Sequence, residues 1–450
     1  MKGFIFDINK CVACHACVVA CSVENDLPPP VERRTIHSFN EFNHPDLAVF
    51  NLSLACNHCE EASCMETCPA GAYKRDENTG AILLDNSFCI GCSYCTWTCP
   101  YDAPKLNLDT GTIDKCTLCN EKVTIGGKPA CAQNCPTGAL DWDDFNDEDM
   151  ENDQAGFPLS DNKPAIRFIP KRHGDKLEIA PLPVSGGLSM LSEKDLPVPD
   201  PKVSLQKEWT LILFNLMVPL LTGMISGMLT GLLYMKWWLY IILAAGGLLL
   251  STMHLERKAR AVYAIRNFRS SWLSREILFY GIFFFMSVAY VVLELEFIWI
   301  GFFAVLFGLF CAFSMDKVYS IIQVKARTYL NSSSVFLSAL MWISLAQQEP
   351  GPLVFIILVK MVFYIHRKIS IGENSNYWLL FSALRLIFLV VLPVILYFFT
   401  DLSIWFLFFP LIIGEGIDRI EFFTEGYINS PSKSMYDLLI KQLFTNEKSK

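Results

Sequence analysis

Sixteen of the seventeen cysteines in this 450-residue chain lie within its first 135 residues, in four groups of four. Cys11, Cys14, Cys17 and Cys21 follow C-x2-C-x2-C-x3-C. Cys56, Cys59, Cys64 and Cys68 follow C-x2-C-x4-C-x3-C and are followed by Pro69. Cys89, Cys92, Cys95 and Cys99 repeat the tight spacing and end at Pro100, and Cys116, Cys119, Cys131 and Cys135 follow C-x2-C-x11-C-x3-C and end at Pro136. A segment carrying so many thiols must fold around what they bind.

Disulfides, zinc and iron–sulfur clusters are the alternatives. Met1–Asn9 has no long apolar run with a small-residue cleavage site, and no twin arginine precedes the first cysteine, so a secreted disulfide framework is not expected. Zinc ribbons present C-x2-C pairs, which leaves a third cysteine at fixed spacing and the C-P endings unexplained. The bacterial ferredoxin run has these intervals, and its fourth cysteine serves a different cluster from the first three. Sixteen thiolates then suffice for four 4Fe–4S clusters, a conduit for single electrons. Carried over, the crossing rule joins Cys11, Cys14 and Cys17 with Cys135, and Cys116, Cys119 and Cys131 with Cys21. It joins Cys56, Cys59 and Cys64 with Cys99, and Cys89, Cys92 and Cys95 with Cys68. Cys11-Val12-Ala13-Cys14-His15 also fits the haem-attachment pattern, but Cys17 and Cys21 continue the ferredoxin spacing through it.

Short strands are expected at 3–9, 80–88 and 111–114, each entering a cysteine group, as in a duplicated ferredoxin. Residues 22–55 read as a loop-rich insertion. Residues 141–153 hold eight acids and no lysine or arginine, which reads as a solvated loop or a docking patch. The net charge of −8 and the absence of a basic stripe argue against nucleic acid.

Composition changes near residue 205, where Leu, Ile, Phe, Val and Trp take over. Apolar segments fall at about 209–235, 237–253, 277–293, 297–315, 332–347, 352–365, 377–400 and 402–414. A spanning helix needs about 20 apolar residues. Five segments meet this alone and three need flanking residues, so eight spans are expected, with seven as the alternative. With eight, Lys202, Lys207, the six cations between Arg257 and Arg275, Lys317, Lys325, Arg327, Arg367 and Lys368 share one side, against little beyond Lys236 on the other. The positive-inside rule puts that side, with the cysteine domain, in the cytoplasm. The expected fold is an α+β duplicated ferredoxin-like domain followed by an all-α membrane bundle. Its parts are a four-cluster domain (1–156), a proline-rich extension (157–205), the membrane domain (206–425) and a cytoplasmic tail (426–450).

Residues 1–200 resemble the four-cluster iron–sulfur subunit of the dimethyl sulfoxide reductase family, through the four cysteine groups and the opening GFIFDINKCVACHACVVAC. The membrane half resembles that family's quinol-oxidising anchor subunit, most specifically at 254–277, HLERKARAVYAIRNFRSSWLSREI. These are separate polypeptides in the family, so the chain looks like a fusion. The resemblance implies electron exchange between membrane quinol (menaquinol or a relative) and a separate molybdopterin-containing catalytic subunit. It implies a multi-pass protein of a bacterial or archaeal cytoplasmic membrane. Relatives that hold a three-iron cluster replace one cysteine by tryptophan; here every ligand position is cysteine, and Trp97 lies between ligands.

Quinol oxidation releases two protons, so the site needs acceptors. His254 ends the second apolar segment and Glu276 precedes the third. A histidine titrates near neutrality and a carboxylate can accept or relay a proton. The resemblance points to the same two residues as catalytic, with Arg260 as neighbouring support for quinol. The bland alternative is a positive-inside anchor loop. Glu256 stands where relatives are expected to carry glycine. Haem b usually needs paired histidines, and the membrane half has only His254 and His366; a single bis-histidine haem would need them to converge, a two-haem cytochrome is excluded, and no haem is expected. Lys360 and Arg385 lie inside apolar segments; Lys360 is a candidate for a proton path or charge pair, and Arg385 for that or for snorkelling. Cys311 reads as a small buried residue. Reverse flow from a formate or sulfur-compound dehydrogenase, or an anchor with no quinone site, are the other readings.

Overall fold

The computed structural model describes residues 2–41, 47–144, 154–169, 198–293, 297–321, 331–371, 376–399, 405–426 and 428–444. Two compact units divide the chain: Met1–Pro201 with Asn429–Lys450, and Lys202–Ile428. Residues 145–153 of the acidic run and 170–197 of the proline-rich extension lie outside the described residues.

The first unit is ferredoxin-like. Strand β1 (Lys2–Asp7) leads into the first cysteine loop and α1 (Ala16–Glu24). Next come β2 (Thr35–Phe39) and β3 (Phe50–Leu54), which pair antiparallel with Phe39 opposite Phe50. The stretch 22–55 is thus not simply loop: its second half closes an ordered hairpin, with Phe39 and Phe50 stacked at 4.9 Å. Then follow α2 (Ser63–Glu66), β4 (Tyr73–Arg75), β5 (Ile82–Leu84), α3 (Tyr94–Thr98), β6 (Lys105–Asn107), β7 (Thr112–Asp114), α4 (Asn120–Thr124), α5 (Ala130–Gln133), β8 (Leu140–Asp144) and β9 (Ile166–Ile169).

The duplication is visible in the turns. The β4–β5 hairpin turns on Asp76-Glu-Asn-Thr-Gly80, and the β6–β7 hairpin on Asn107-Leu-Asp-Thr-Gly111. Asp76 Oδ1 accepts from the Asn78 and Thr79 amides at 3.0 and 2.9 Å, and Asn107 Oδ1 from those of Asp109 and Thr110 at 3.0 and 3.3 Å. Both are Asx turns, in which a side-chain oxygen stands in for a backbone acceptor, and each ends on a glycine with positive φ.

β1 is the centre of a three-stranded sheet, antiparallel to β8 and parallel to β9. Phe4 meets Trp142 edge-on at 5.0 Å and Phe6 meets Phe168 at 6.2 Å, so both phenylalanines are buried. The start of the extension therefore closes the sheet, whose core continues through Phe157 to Tyr101, stacked at 5.0 Å. Residues Pro431–Phe444, in the segment expected to be a tail, form a helix of this unit that packs on β2, with Met435 and Leu439 buried.

The second unit is helical: α6 (Leu205–Leu229), α7 (Trp237–Met253), a 3-10 stretch Lys258–Ile265, α8 (Trp272–Val292), α9 (Ile298–Tyr319), α10 (Val335–Ala346), α11 (Pro350–Ile371), α12 (Asn376–Leu386), a π-helical stretch Ile387–Val391, α13 (Leu392–Phe399) and α14 (Trp405–Glu425). Among the described residues, each of the eight apolar segments is largely helical. Among the described residues three helices (α6, α8 and α9) are long and apolar enough to cross a membrane, and a fourth if α7 and the 3-10 stretch, bent by 96°, form one broken span. The eighth segment ends too early in the sequence reading: its helix runs on to Glu425 through four acids.

Small residues set the spacing of this bundle, as in membrane interiors where backbones approach without a hydrophobic drive. A Cβ on Gly223 of α6 would lie 2.6 Å from Trp342 Cβ on α10.

Candidate metal centres and membrane site

The cysteine loops share one backbone device. The residue before the second cysteine of each group (Ala13, His58, Gly91 and Leu118) has φ between 45° and 68°. His15 and Ser93, directly after the second cysteine in groups one and three, repeat it at 59° and 55°. Left-handed conformation costs an L-residue about 1–2 kcal/mol. Its recurrence at equivalent positions shows that the loops share one backbone winding.

The arrangement of the thiols tests the crossing rule. Cys11, Cys14, Cys17 and Cys135 line one pocket. Cys56, Cys59, Cys64 and Cys99 line another. Cys21 lies in electrostatic range of Cys131 and Cys119, and Cys116 of Cys21 and Cys131. Cys92 and Cys95 lie in range of Cys68, which is itself in range of Cys89. Two crossed sets thus line a common pocket each, and members of the other two lie in electrostatic range of one another, as Cys116 also does of Cys56 and Cys64 of Cys68. Among the described residues no three His, Cys, Asp or Glu close in on a point as ligands of a single ion would; these cysteines border spaces instead.

The donor set suits a thiolate-ligated cluster. Backbone amides approach ligand sulfurs: Leu118 to Cys116 at 3.3 Å, Leu140 to Cys135 at 3.4 Å and Ala72 to Cys68 at 3.5 Å. Such donors tune cluster potentials. Burial pushes the Cys21 thiol up to about 11 and the Cys92 thiol to about 12, with neighbouring thiols adding to it. Burial also works on Cys135, but amide donors led by Leu140 and the Thr137 hydroxyl outweigh it and hold that thiol below its ordinary value. Burial, with Lys115, Arg75 and Arg34 nearby, keeps the His58 imidazole neutral; its Nδ1 accepts from the Ile82 amide at 2.9 Å.

In the second unit, His254 caps the C-terminus of α7 at the 96° bend, and its Nδ1 is buried with no hydrogen-bond partner. Glu276, one turn into α8, is 3% exposed and its Oε2 has no partner. No hydrogen bond or ion pair joins the two. Arg260 lies half-buried in the 3-10 stretch, which packs on α8, while Glu256, Arg257, Lys258, Arg266 and Arg269 are exposed. Val262 and Phe268 are exposed beside them, giving this segment the mixed apolar and cationic surface of a membrane interface. Cys311 is buried, as expected, and its Sγ donates to the Glu276 carbonyl at 3.6 Å.

Sequence reasoning missed Asn215, 1% exposed on α6. The signal was a lone amide inside an apolar run. Tyr319 of α9 lies within electrostatic range of both Glu276 and Arg419.

A buried ladder of charges was also only half visible in the sequence. Lys360 Nζ lies 2.6 Å from Glu415 Oε1 and donates to Ser338 Oγ at 2.7 Å. Arg385 reaches Asp418 at 2.8 Å and is fully buried, so it does not snorkel. Arg367 meets Asp418 at 3.0 Å and Glu425 at 3.0 Å, and Lys368 meets Glu421 at 2.8 Å. The acids recur every three or four residues along α14, one helical face.

Residues 47–145 match the 4Fe-4S dicluster domain family, and residues 207–362 match the DMSO reductase anchor subunit (DmsC) family. A chain of the anaerobic dimethyl sulfoxide reductase of Escherichia coli (strain K12) is 34% identical over 189 residues, covering 40% of this protein and 82% of that one. The protein belongs to the dimethyl sulfoxide reductase family. A tetrathionate reductase subunit of Salmonella typhimurium is 33% identical over 174 residues (38% of this protein, 68% of that one). A sulfite dehydrogenase subunit of Allochromatium vinosum is 34% identical over 200 residues (38% and 83%). The chain therefore joins an iron–sulfur electron-transfer domain to an anchor domain of the dimethyl sulfoxide reductase family, as an integral membrane protein. The anchor match holds His254, Arg260, Glu276 and Lys360 and ends before Arg367, Arg385 and the acids of α14.

Proposed function

We propose that this chain oxidises membrane quinol and delivers the electrons to a separate molybdopterin-containing catalytic subunit. Four 4Fe–4S clusters would be held by the four crossed cysteine sets; when bound, they take up and release electrons singly. The chain's own residues do the proton chemistry. Each quinol O–H bond that breaks gives its proton to a buried acceptor, Glu276 Oε2 or His254 Nδ1, with Arg260 supporting the head group, and two electrons leave with the product quinone. The observation that carries this reading is the pair of unpartnered, buried acceptor atoms in the segment that matches the anchor subunit.

The proposal extends to eight spans, with α12 and α13 as one, in the cytoplasmic membrane of a bacterium or archaeon. The cysteine domain faces the cytoplasm, and no haem b accompanies the quinol site. Adding menaquinol to the oxidised, detergent-solubilised complex should bleach the iron–sulfur absorption without a haem band. No bleaching would favour an anchor without a quinone site. A molybdopterin oxidoreductase should co-purify as the largest subunit.

One observation favours a second reading: the likeness to a sulfite dehydrogenase subunit. There a catalytic subunit would feed electrons in and quinone would be reduced at the same residues. Direction rests on the potentials at the two ends, where about 30 mV is 1.4 kcal/mol for a two-electron couple.

A further inference from the structure

Arg34 is 2% exposed, and among the described residues no carboxylate pairs with it. A guanidinium keeps its charge at any ordinary pH. A buried charge without a partner is costly, so compensating negative charge must lie close by. The cation stands over the Phe4 ring at 4.9 Å, and Nη1 donates to the Ser53 carbonyl at 2.9 Å and the Ser53 hydroxyl at 3.2 Å. Those partners are neutral. Cysteine sulfurs also lie close: the cation donates a hydrogen bond to the Cys131 side chain. The Ser53 hydroxyl lies 3.3 Å from Cys17 Sγ, a member of the first crossed set. Cys131, Cys116 and Cys21, three members of the set completed by Cys119, lie in electrostatic range. Its sequence neighbour Arg33 also lies in electrostatic range of Cys21, but its charge is paired with the Asp114 carboxylate at 2.9 Å.

We propose that Arg34 is a positioning residue whose fixed charge sets the reduction potentials of two clusters: that of Cys11, Cys14, Cys17 and Cys135, and that of Cys116, Cys119, Cys131 and Cys21. This rests on the reading that both crossed sets hold 4Fe–4S clusters. Four thiolates leave such a cluster net negative, and reduction by one electron makes it more so. A permanent cation between two sets favours the reduced form of each, since net charge and hydrogen bonding around the sulfurs set the potential. The hydroxyl of Ser53 relays the same influence to Cys17 as a polarised donor.

The test is a redox titration, followed by electron paramagnetic resonance, of the full chain purified with its catalytic subunit. Arg34→Met should shift the oxidised-to-reduced equilibrium of two clusters at least tenfold toward oxidation, which is 59 mV for a one-electron couple. The other two should move less, Arg34→Lys should keep most of the wild-type values, and Arg33→Met, whose charge is paired with Asp114, should shift the midpoints less than Arg34→Met does. If Arg34→Met loses iron, Arg34→Gln, which retains a donor for Ser53 without the charge, carries the same prediction. Iron content of the wild-type sample separates failure of the cluster reading from failure of the charge argument. Unmoved midpoints in an iron-replete neutral variant, or an equal fall in Arg34→Lys, would overturn the proposal.

Discussion

Lys360 and Glu415 form an ion pair of 2.6 Å in which neither side chain reaches solvent. The pair shares the Ser338 hydroxyl, which donates to Glu415 Oε2 at 2.5 Å. Removing one partner of a buried pair strands the other charge and costs about 3–5 kcal/mol, whereas replacing both by apolar groups can be neutral. Lys360→Met and Glu415→Leu should therefore each lower the thermal midpoint of the detergent-solubilised protein, and the double substitution should recover much of the loss. An additive double variant would mean that the two charges do not depend on each other.

Helix α6 approaches α10 at Gly223, where even a methyl group would meet Trp342 at 2.6 Å. Overpacking of this kind costs about 1–3 kcal/mol. Gly223→Leu should destabilise the membrane unit measurably, while Gly281→Leu, where nothing lies within 4 Å of an added Cβ, should not. Equal thermal midpoints in the two variants would contradict the close approach.

The cysteine loops make a prediction about pH. Burial raises Cys21 to about 11 and Cys92 to about 12, so the metal-free thiols are protonated at neutrality. Ligation releases those protons, and the loaded state binds fewer than the empty one. Loading should therefore strengthen as pH rises through 7 to 9, about tenfold per pH unit for each proton released. Iron uptake during reconstitution, measured across that range, should climb; a flat profile would show that the thiols are already ionised.

Ala13 carries a Cβ at φ 53°, where glycine would be unstrained. Ala13→Gly should relieve about 1 kcal/mol in the loaded domain, while Ala13→Val should hinder loading of the first crossed set. Chemical denaturation and iron content of the two variants check the pair of outcomes.

Much of this protein was legible because ligation and hydropathy leave strong marks in sequence. Crossed thiolates need fixed intervals, so Cys11 could be matched with Cys135 across the length of the domain. Phe4 and Phe6 alternate as a buried strand must. The hairpin of Thr35–Phe39 with Phe50–Leu54 was hidden by the prolines before it, and its partner helix Pro431–Phe444 by its lysines and its distance in sequence. Glu415, Asp418, Glu421 and Glu425 were placed outside the last apolar segment because acids end a hydropathy window. Only their pairing with Lys360, Arg367, Lys368 and Arg385 makes them interior. Asn215 gave no periodic signal, and its burial appears only once α6 is surrounded.

The central claim is that Glu276 takes a proton from quinol. Rapid mixing of the oxidised complex with a menaquinol analogue follows the iron–sulfur absorption directly, in wild type and in Glu276→Gln, which preserves shape but removes the acceptor. General-base contributions are typically about 10²–10⁴-fold, so the variant should reduce its clusters at least about a hundredfold more slowly, with dithionite still reducing them fully. Quinol-driven reduction at the wild-type rate in Glu276→Gln would contradict the account.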